Sequence, residues 1–168
     1  IENSGLIESA RAELEAAGGN LYATAINNTG TVRATGTTQK DGVVYFTAGE
    51  GDIDNSGTIQ ASNADGSGGD IRIVANKGTT ISSGTLDASA SSSESSLQAN
   101  AGGFVHALGD RVGITGDIDA SGPYAGGEIL IGGDYRGQND AVKNAQKTFI
   151  GSDSTISASA TEQGDGGR

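Results

Sequence analysis

The amino-acid sequence predicts an all-β fold, a parallel β-helix in which short strands of consecutive repeats stack on one another. Three observations predict it. Glycine makes up 29 of the 168 residues, more than twice the usual ~7%. Short segments alternate apolar and polar residues, as strands buried on one face do. One turn sequence also returns about every 25 to 28 residues in the first half of the chain, which indicates a repeat architecture.

The repeated turn joins an aliphatic residue to Asn, a small polar residue and Gly, as in Ile-Asp-Asn-Ser-Gly-Thr-Ile at 53–59. Its aligned turn residues are Asn3, Asn28, Asn55, Gly30, Gly57 and Gly84. The Asn residues either stack as a side-chain amide ladder or serve only as residues that tolerate turn geometry. The aliphatic positions that follow the turns are expected to form one inward stack: Ile7, Val32, Ile59, Leu86, Ile118 and Ile156.

A second element begins with glycine and continues as a short strand. Its copies are predicted at 18–23, 42–46, 68–73, 102–107 and 126–131. Strands this short cannot each build a core, but stacked coils share one interior. We therefore expect about six coils, each rising about 4.8 Å. A sandwich of about seven strands is the weaker alternative, because a sandwich has no reason to repeat one turn sequence.

Three segments depart from the repeat. Residues 8–17 contain strong helix formers, but their place between a repeat strand and a glycine pair favours strand and turn. Loop insertions are predicted at about 90–101 and 135–147, where the composition is polar.

Residues 1–168 are interpreted as a single β-solenoid segment. Ile1 falls in the middle of a repeat, and Gly167 stands where another coil would begin. We therefore expect an internal part of a longer chain or filament. Its expected partners are further coils of the same chain or stacked identical copies, whose strands would pair with the open edges.

Composition excludes several classes of function. The net charge of −11 opposes binding to nucleic acid. The absence of Cys excludes disulfides, thiol catalysis and Cys-ligated zinc. No apolar run approaches the ~20 residues that span a bilayer.

Few residues suggest chemistry. His106 is the single histidine, and its place in an alternating segment favours an outward, structural role. Asp52 and Asp54, like Asp117 and Asp119, flank an Ile and would share an outer strand face. Such pairs could bind a sugar or a cation, although a solvated face is the simpler interpretation. The sequence therefore predicts no catalytic residue, no metal site and no cofactor, and the chain is not expected to be an enzyme.

The segments 2–8, 14–22, 25–30, 131–137 and 145–151, taken in order, resemble the filamentous-haemagglutinin-type exoproteins. These are large surface adhesins of Gram-negative bacteria exported by two-partner secretion. The resemblance implies a right-handed parallel β-helix, a secreted or cell-surface location, and a role as a structural or adhesive shaft in adhesion, biofilm or aggregation. Host or cell-surface glycans are the further partners considered.

Two other functions fit the sequence less well. A carbohydrate-active β-helix enzyme would need clustered carboxylates and more aromatic residues than the 4% present. A flat-faced binder of sugar or ice would need regular outward threonines. The outward positions after the turns are instead mixed, as Arg33, Gln60, Asp87, Asp119 and Ser157 show.

Overall fold

The computed structural model describes residues 1–18, 20, 22–38, 41–91 and 101–168. In this part the protein is all-β, with 15 strands in two sheets and no α-helix. Every pairing between these strands is parallel. The predicted all-β, parallel architecture is confirmed, and the sandwich alternative, which needs antiparallel neighbours, is wrong.

The larger sheet, sheet A, has nine strands in the described part of the chain. They are β1 (Glu2–Asn3), β3 (Arg11–Ala16), β4 (Thr24–Asn28), β6 (Val43–Ala48), β7 (Asp52–Asn55), β9 (Asp70–Ser82), β11 (Phe104–Ile114), β13 (Glu128–Ile131) and β14 (Lys147–Ile150). The long strands β9 and β11 pair with each other. On its other side β9 pairs with the shorter strands β6 and β7, and β11 pairs with β13 and β14.

The smaller sheet, sheet B, has six described strands. They are β2 (Leu6–Ser9), β5 (Thr31–Thr35), β8 (Thr58–Ser62), β10 (Thr85–Asp87), β12 (Asp117–Asp119) and β15 (Ile156–Ser157). Their spatial order follows the chain order without interruption.

The register of sheet B aligns equivalent residues of consecutive repeats. Strand pairing joins Ile7, Val32, Ile59, Leu86, Ile118 and Ile156 in one column. The four central residues of this column are buried. Because each side chain packs on its equivalent one repeat away, removal of apolar surface from water continues from repeat to repeat.

Sheet A supplies the other wall of the core. Its inward residues alternate with polar ones, as the burial pattern of β6 shows. The largest buried side chains of this wall are Phe46, Ile26, Ile53, Ile71, Ile73, Ile114, Val44 and Val105.

A ladder of side-chain amides runs through the turns between the two sheets. The Asn3 Nδ2 atom donates to Asn28 Oδ1 at 2.7 Å, and Asn28 Nδ2 donates to Asn55 Oδ1 at 2.7 Å. Asn55 Nδ2 then donates to Ser82 Oγ at 3.1 Å. Asn28 and Asn55 are fully buried, so each polar side chain is satisfied by its equivalent in the next repeat.

Strand β3 confirms the predicted strand within residues 8–17, but it corrects the alignment of the glycine-led element. That element was predicted at 18–23 in the first repeat, whereas the register pairs Arg11–Ala16 with Val43–Ala48. The cause is burial: Ala12 and Leu14 point into the core, while Tyr22 is 94% exposed.

The strand that follows the glycine is short in some repeats and long in the two central ones. Between β6 and β7, Gly51 adopts φ of 91°, a left-handed conformation that glycine tolerates, and the chain turns. In β9 and β11 the strand instead continues, with a register shift between Gly109 and Arg111. The short strands predicted at 68–73 and 102–107 are therefore the first parts of the longer strands β9 and β11.

The two predicted insertions have different outcomes. Of the insertion at about 90–101, residues 92–100 lie outside the described residues. The second insertion connects β13 to β14 and contains one short 3-10 turn, Tyr135–Gly137. It ends before residue 147, because Lys147 already pairs with Arg111 in sheet A.

We predict that Asn28→Ala lowers the free energy of unfolding by roughly 2 to 4 kcal/mol, because the substitution leaves two buried or half-buried amide groups without a partner. Urea unfolding followed by circular dichroism measures the change. Asn27→Ala is the matched control, since Asn27 is adjacent and points outward. This substitution should lower the free energy of unfolding by less than about 0.5 kcal/mol. Equal losses in the two variants would contradict a stabilising ladder.

We predict that Gly57→Ala destabilises the fold by about 2 kcal/mol or more, because a Cβ at Gly57 would overlap the carbonyl oxygen of Gly30 in the repeat below. The same substitution at Gly5, the equivalent turn position, meets no atom within 4 Å. Thermal unfolding of both variants should therefore separate them clearly. A midpoint for Gly57→Ala as high as that of Gly5→Ala would show that the turns are not packed on one another.

Candidate functional site

The outer surface of sheet A carries a group of charged and aromatic side chains, here called the charged aromatic face. Two adjacent outward columns form it, because residues two apart along a strand share one side of the sheet. Strand pairing aligns position 11 with 43, 70, 104 and 128, and position 13 with 45, 72, 106 and 130. The face is defined by Arg11, Tyr45, Asp70, Arg72, Phe104, His106 and Glu128.

Tyr45 is the centre of one half of this face. The guanidinium carbon of Arg11 lies 4.7 Å from the centre of its ring, and that of Arg72 lies 5.5 Å away, both within cation–π range. The Tyr45 hydroxyl donates to Asp70 Oδ2 at 3.2 Å. Burial raises the pKa of Tyr45, and the Asp70 carboxylate raises it further, so the hydroxyl stays a donor.

Asp70 holds the cation beside Tyr45 in place. Its Oδ1 atom accepts from Arg72 Nε at 3.0 Å, and its Oδ2 atom lies 2.9 Å from Arg72 Nη2. This bidentate contact is the geometry that arginine and carboxylate groups favour. Burial lowers the pKa of Arg72, but the bonds and charge of Asp70 outweigh it and leave that pKa raised.

His106 and Glu128 form the second half of the face. His106 Nε2 lies 2.9 Å from Glu128 Oε1, and Arg168 Nη2 lies 2.6 Å from Glu128 Oε2. Burial raises the pKa of Glu128, but the bonds from His106 and Arg168 outweigh burial and lower it. Phe104 packs edge-on against the His106 ring at 6.5 Å between centres. His106 therefore points outward, as expected, and its ring is held in place.

A shallow cleft of about 550 Å³ lies at the Tyr45 end of this face. Its lining includes Arg11, Asp41, Tyr45, Asp70 and Phe104, and Phe104 is 50% exposed. Exposed ring faces beside fixed charged groups can stack against a sugar ring and hydrogen-bond its hydroxyl groups. The charges of Arg11, Asp70 and Arg72 are paired with neighbouring side chains, and Asp41 adds a further carboxylate to the lining, so the cleft disfavours an anionic ligand.

The acidic pairs singled out in the sequence lie on outer strand faces, where three of their carboxylates accept backbone N–H groups. Asp52 Oδ1 accepts from Thr79 N at 2.6 Å, and Asp117 Oδ1 accepts from Thr155 N at 3.1 Å. Asp119 Oδ1 accepts from Ser121 N at 2.8 Å. These carboxylates tie the backbone of one repeat to the next, or close their own turn.

No group of three or more His, Asp or Glu side chains within the described ranges is arranged to hold a metal ion. Over the same part of the chain, no helix has the length and hydrophobicity needed to cross a membrane.

Comparisons of the chain with protein-family models, with curated proteins and with solved structures gave no match. The resemblance to filamentous-haemagglutinin-type exoproteins therefore stays a prediction from the sequence.

Tyr45, Arg72 and Glu128 are residues of this face that the sequence does not predict as partners. The signal present in the sequence was the alternation within the glycine-led strands, which places every second residue outward. The contacts of Tyr45 with Asp70 and of Glu128 with His106 join residues 25 and 22 apart, so they could be found only with the correct register between repeats. The pairing of Arg72 with Asp70 is only two residues apart and follows from the alternation itself.

We predict that Glu128→Gln lowers stability at pH 7 by about 1 to 2 kcal/mol, because it removes charge-assisted bonds to His106 and Arg168. The pKa of Glu128 is lower in the folded chain than its ordinary value of 4.5. The stabilisation is therefore complete above pH 4.5 and is lost as the pH falls through the folded value. Urea unfolding at several pH values should show the two proteins converging in acid.

The matched control is Glu15→Gln, which changes an exposed carboxylate on β3 of the same sheet. Its stability should follow that of the unmodified chain at every pH. A constant difference between Glu128→Gln and the unmodified chain from pH 7 down to pH 3 would contradict the assigned role of Glu128.

Proposed function

We propose that the chain is a right-handed parallel β-helix of about six coils that serves as a structural and adhesive shaft. In this proposal it is a non-catalytic part of a secreted or surface-attached adhesin or fibre of a Gram-negative bacterium. The observation that carries the proposal is the uninterrupted column from Ile7 to Ile156 in sheet B. Stacking of equivalent aliphatic residues from repeat to repeat builds length, which is what a shaft requires.

The regular stacking supports a structural rod rather than an enzyme. Six coils at the strand spacing of about 4.8 Å extend about 30 Å. The described interior is filled by aliphatic side chains, by Phe46 and by the hydrogen-bonded amides of Asn28 and Asn55. The use of Asp52, Asp117 and Asp119 as backbone acceptors supports a structural role for the acidic pairs.

The charged aromatic face supports the adhesive part of the proposal. Phe104 is 50% exposed and offers ring surface on the outside of the rod, beside Asp70 in the same cleft. Host or cell-surface glycans are the partners that we propose for this face, because a sugar presents both an apolar ring face and hydroxyl groups.

The core columns support the proposal that further coils, of the same chain or of a stacked copy, add to the rod. Ile150 pairs with the buried Ile114, and Ile156 pairs with the buried Ile118. Ile150 and Ile156 are nevertheless 48% and 38% exposed. A coil added at this edge would cover these apolar side chains and pair with the open strands β14 and β15.

We predict that the number of repeats sets the length of the rod. Residues 31–57 span one complete repeat, because Thr31 pairs with Thr58 and Val32 with Ile59. Deleting 31–57 should keep the strand content per residue and shorten the rod by about 5 Å, and duplicating 31–57 should lengthen it equally. Small-angle scattering and far-ultraviolet circular dichroism of both variants measure these changes.

The control is a deletion of 31–50, which removes part of the same segment and places unlike residues in register. It should unfold or aggregate, since an out-of-register repeat exposes the core face. Unfolding of the 31–57 deletion as well would overturn the shaft proposal.

Adhesion is scored separately with chain-coated beads on glycan-coated surfaces, where Phe104→Ala should reduce capture without changing rod length.

A further inference from the structure

A second concave region lies on the outer surface of sheet A, where β9, β11 and β14 are neighbours. Two outward columns cross it: Thr79, Arg111 and Lys147 form one, and Ile81, Gly113 and Phe149 form the other. We call this region the cationic groove and define it by Ile81, Arg111, Gly113, Lys147 and Phe149. It encloses about 570 Å³.

The floor of the groove exists because Gly113 has no side chain. A Cβ at Gly113 would meet no atom within 4 Å, so the space above it is open. Ile81 and Phe149 stand on either side and are 38% and 62% exposed. Each lies one strand away, about 4.8 Å. A flat ring seated over Gly113 would therefore lie within the 4.5–7 Å range of ring contacts with Phe149.

The charged residues of the groove differ from most cations of the molecule. Arg33, Arg72, Lys77 and Arg168 all form salt bridges. Arg111 and Lys147 are exposed register partners, and neither side chain forms a hydrogen bond or an ion pair within the described part of the chain. Two like charges side by side on one sheet face repel each other, although the chain as a whole carries a charge of −11. An anion bound between them would relieve this repulsion.

We propose that the cationic groove binds an aromatic carboxylate. The ring lies over Gly113 between Ile81 and Phe149, and the carboxylate accepts hydrogen bonds from Arg111 and Lys147. The mostly apolar lining favours an aromatic ring over a sugar acid, because the hydroxyl groups of a sugar would lose hydrogen bonds to water there. This site is separate from the charged aromatic face and goes beyond the shaft function.

The test uses 2-naphthoate as the probe and the full chain, with binding measured by calorimetry and by ligand-observed NMR. A ligand of this size should bind with a Kd on the order of 1 mM, and more weakly at high salt. Arg111→Gln should weaken binding about tenfold. Gly113→Val should abolish it by filling the open space, and the fold should be retained because valine suits a strand.

The matched controls separate the site from general effects. Gly5→Val fills another open glycine position, and Arg33→Gln removes a cation from sheet B; both should leave the Kd unchanged. The neutral 2-naphthamide and the sugar acid glucuronate should each bind at least tenfold more weakly than 2-naphthoate. Absence of 2-naphthoate binding, equal binding of either analogue, or unchanged binding by Gly113→Val would overturn the proposal.

Discussion

The fold depends on the in-register pairing of each repeat with the next. Parallel strands exchange backbone hydrogen bonds along the whole length of the stack, so a residue finds its own equivalent as its neighbour. Such pairing lets one turn sequence satisfy itself: Asn28 serves as acceptor for Asn3 and as donor to Asn55. It also forbids a side chain at Gly57, because the backbone of the previous repeat occupies that space.

The same register aligns the outward residues of the molecule, but the types of these residues differ from repeat to repeat. On sheet A it brings Tyr45, Arg72 and His106 into one outward column, and it leaves Gly113 as a gap between Ile81 and Phe149. The core keeps an aliphatic residue at the same place in every repeat, whereas the outward positions differ from one repeat to the next, and some of them, such as Asp52 and Glu128, also hold neighbouring repeats together. Binding surfaces on such a frame therefore arise from the vertical sequence of outward residues.

How much of this was predictable from the sequence follows from how strongly each position repeats. The column through Val32, Ile59 and Leu86 has an aliphatic residue after every turn, so periodicity identified it. The sequence places 18–23, and not β3, in register with the later glycine-led strands. The reason is that Arg11 follows no glycine, whereas the glycine pair at 18–19 resembles the start of the later copies. The hydrogen bond between Tyr45 and Asp70 joins residue types that do not recur at the equivalent positions of other repeats. Predicting it therefore needs the register between repeats, which only the structure supplies.

The direction of the hydrogen bonds between repeats has a mechanical consequence. They run along the axis of the stack, so a force pulling the two ends apart loads the bonds of one repeat before those of the next. A repeat of 27 residues, the separation of Asn28 and Asn55, extends to about 90 Å when pulled straight. Under tension the molecule lengthens in discrete steps, each set by the length of the repeat that opens, and dissipates energy at each one while the remaining repeats stay folded.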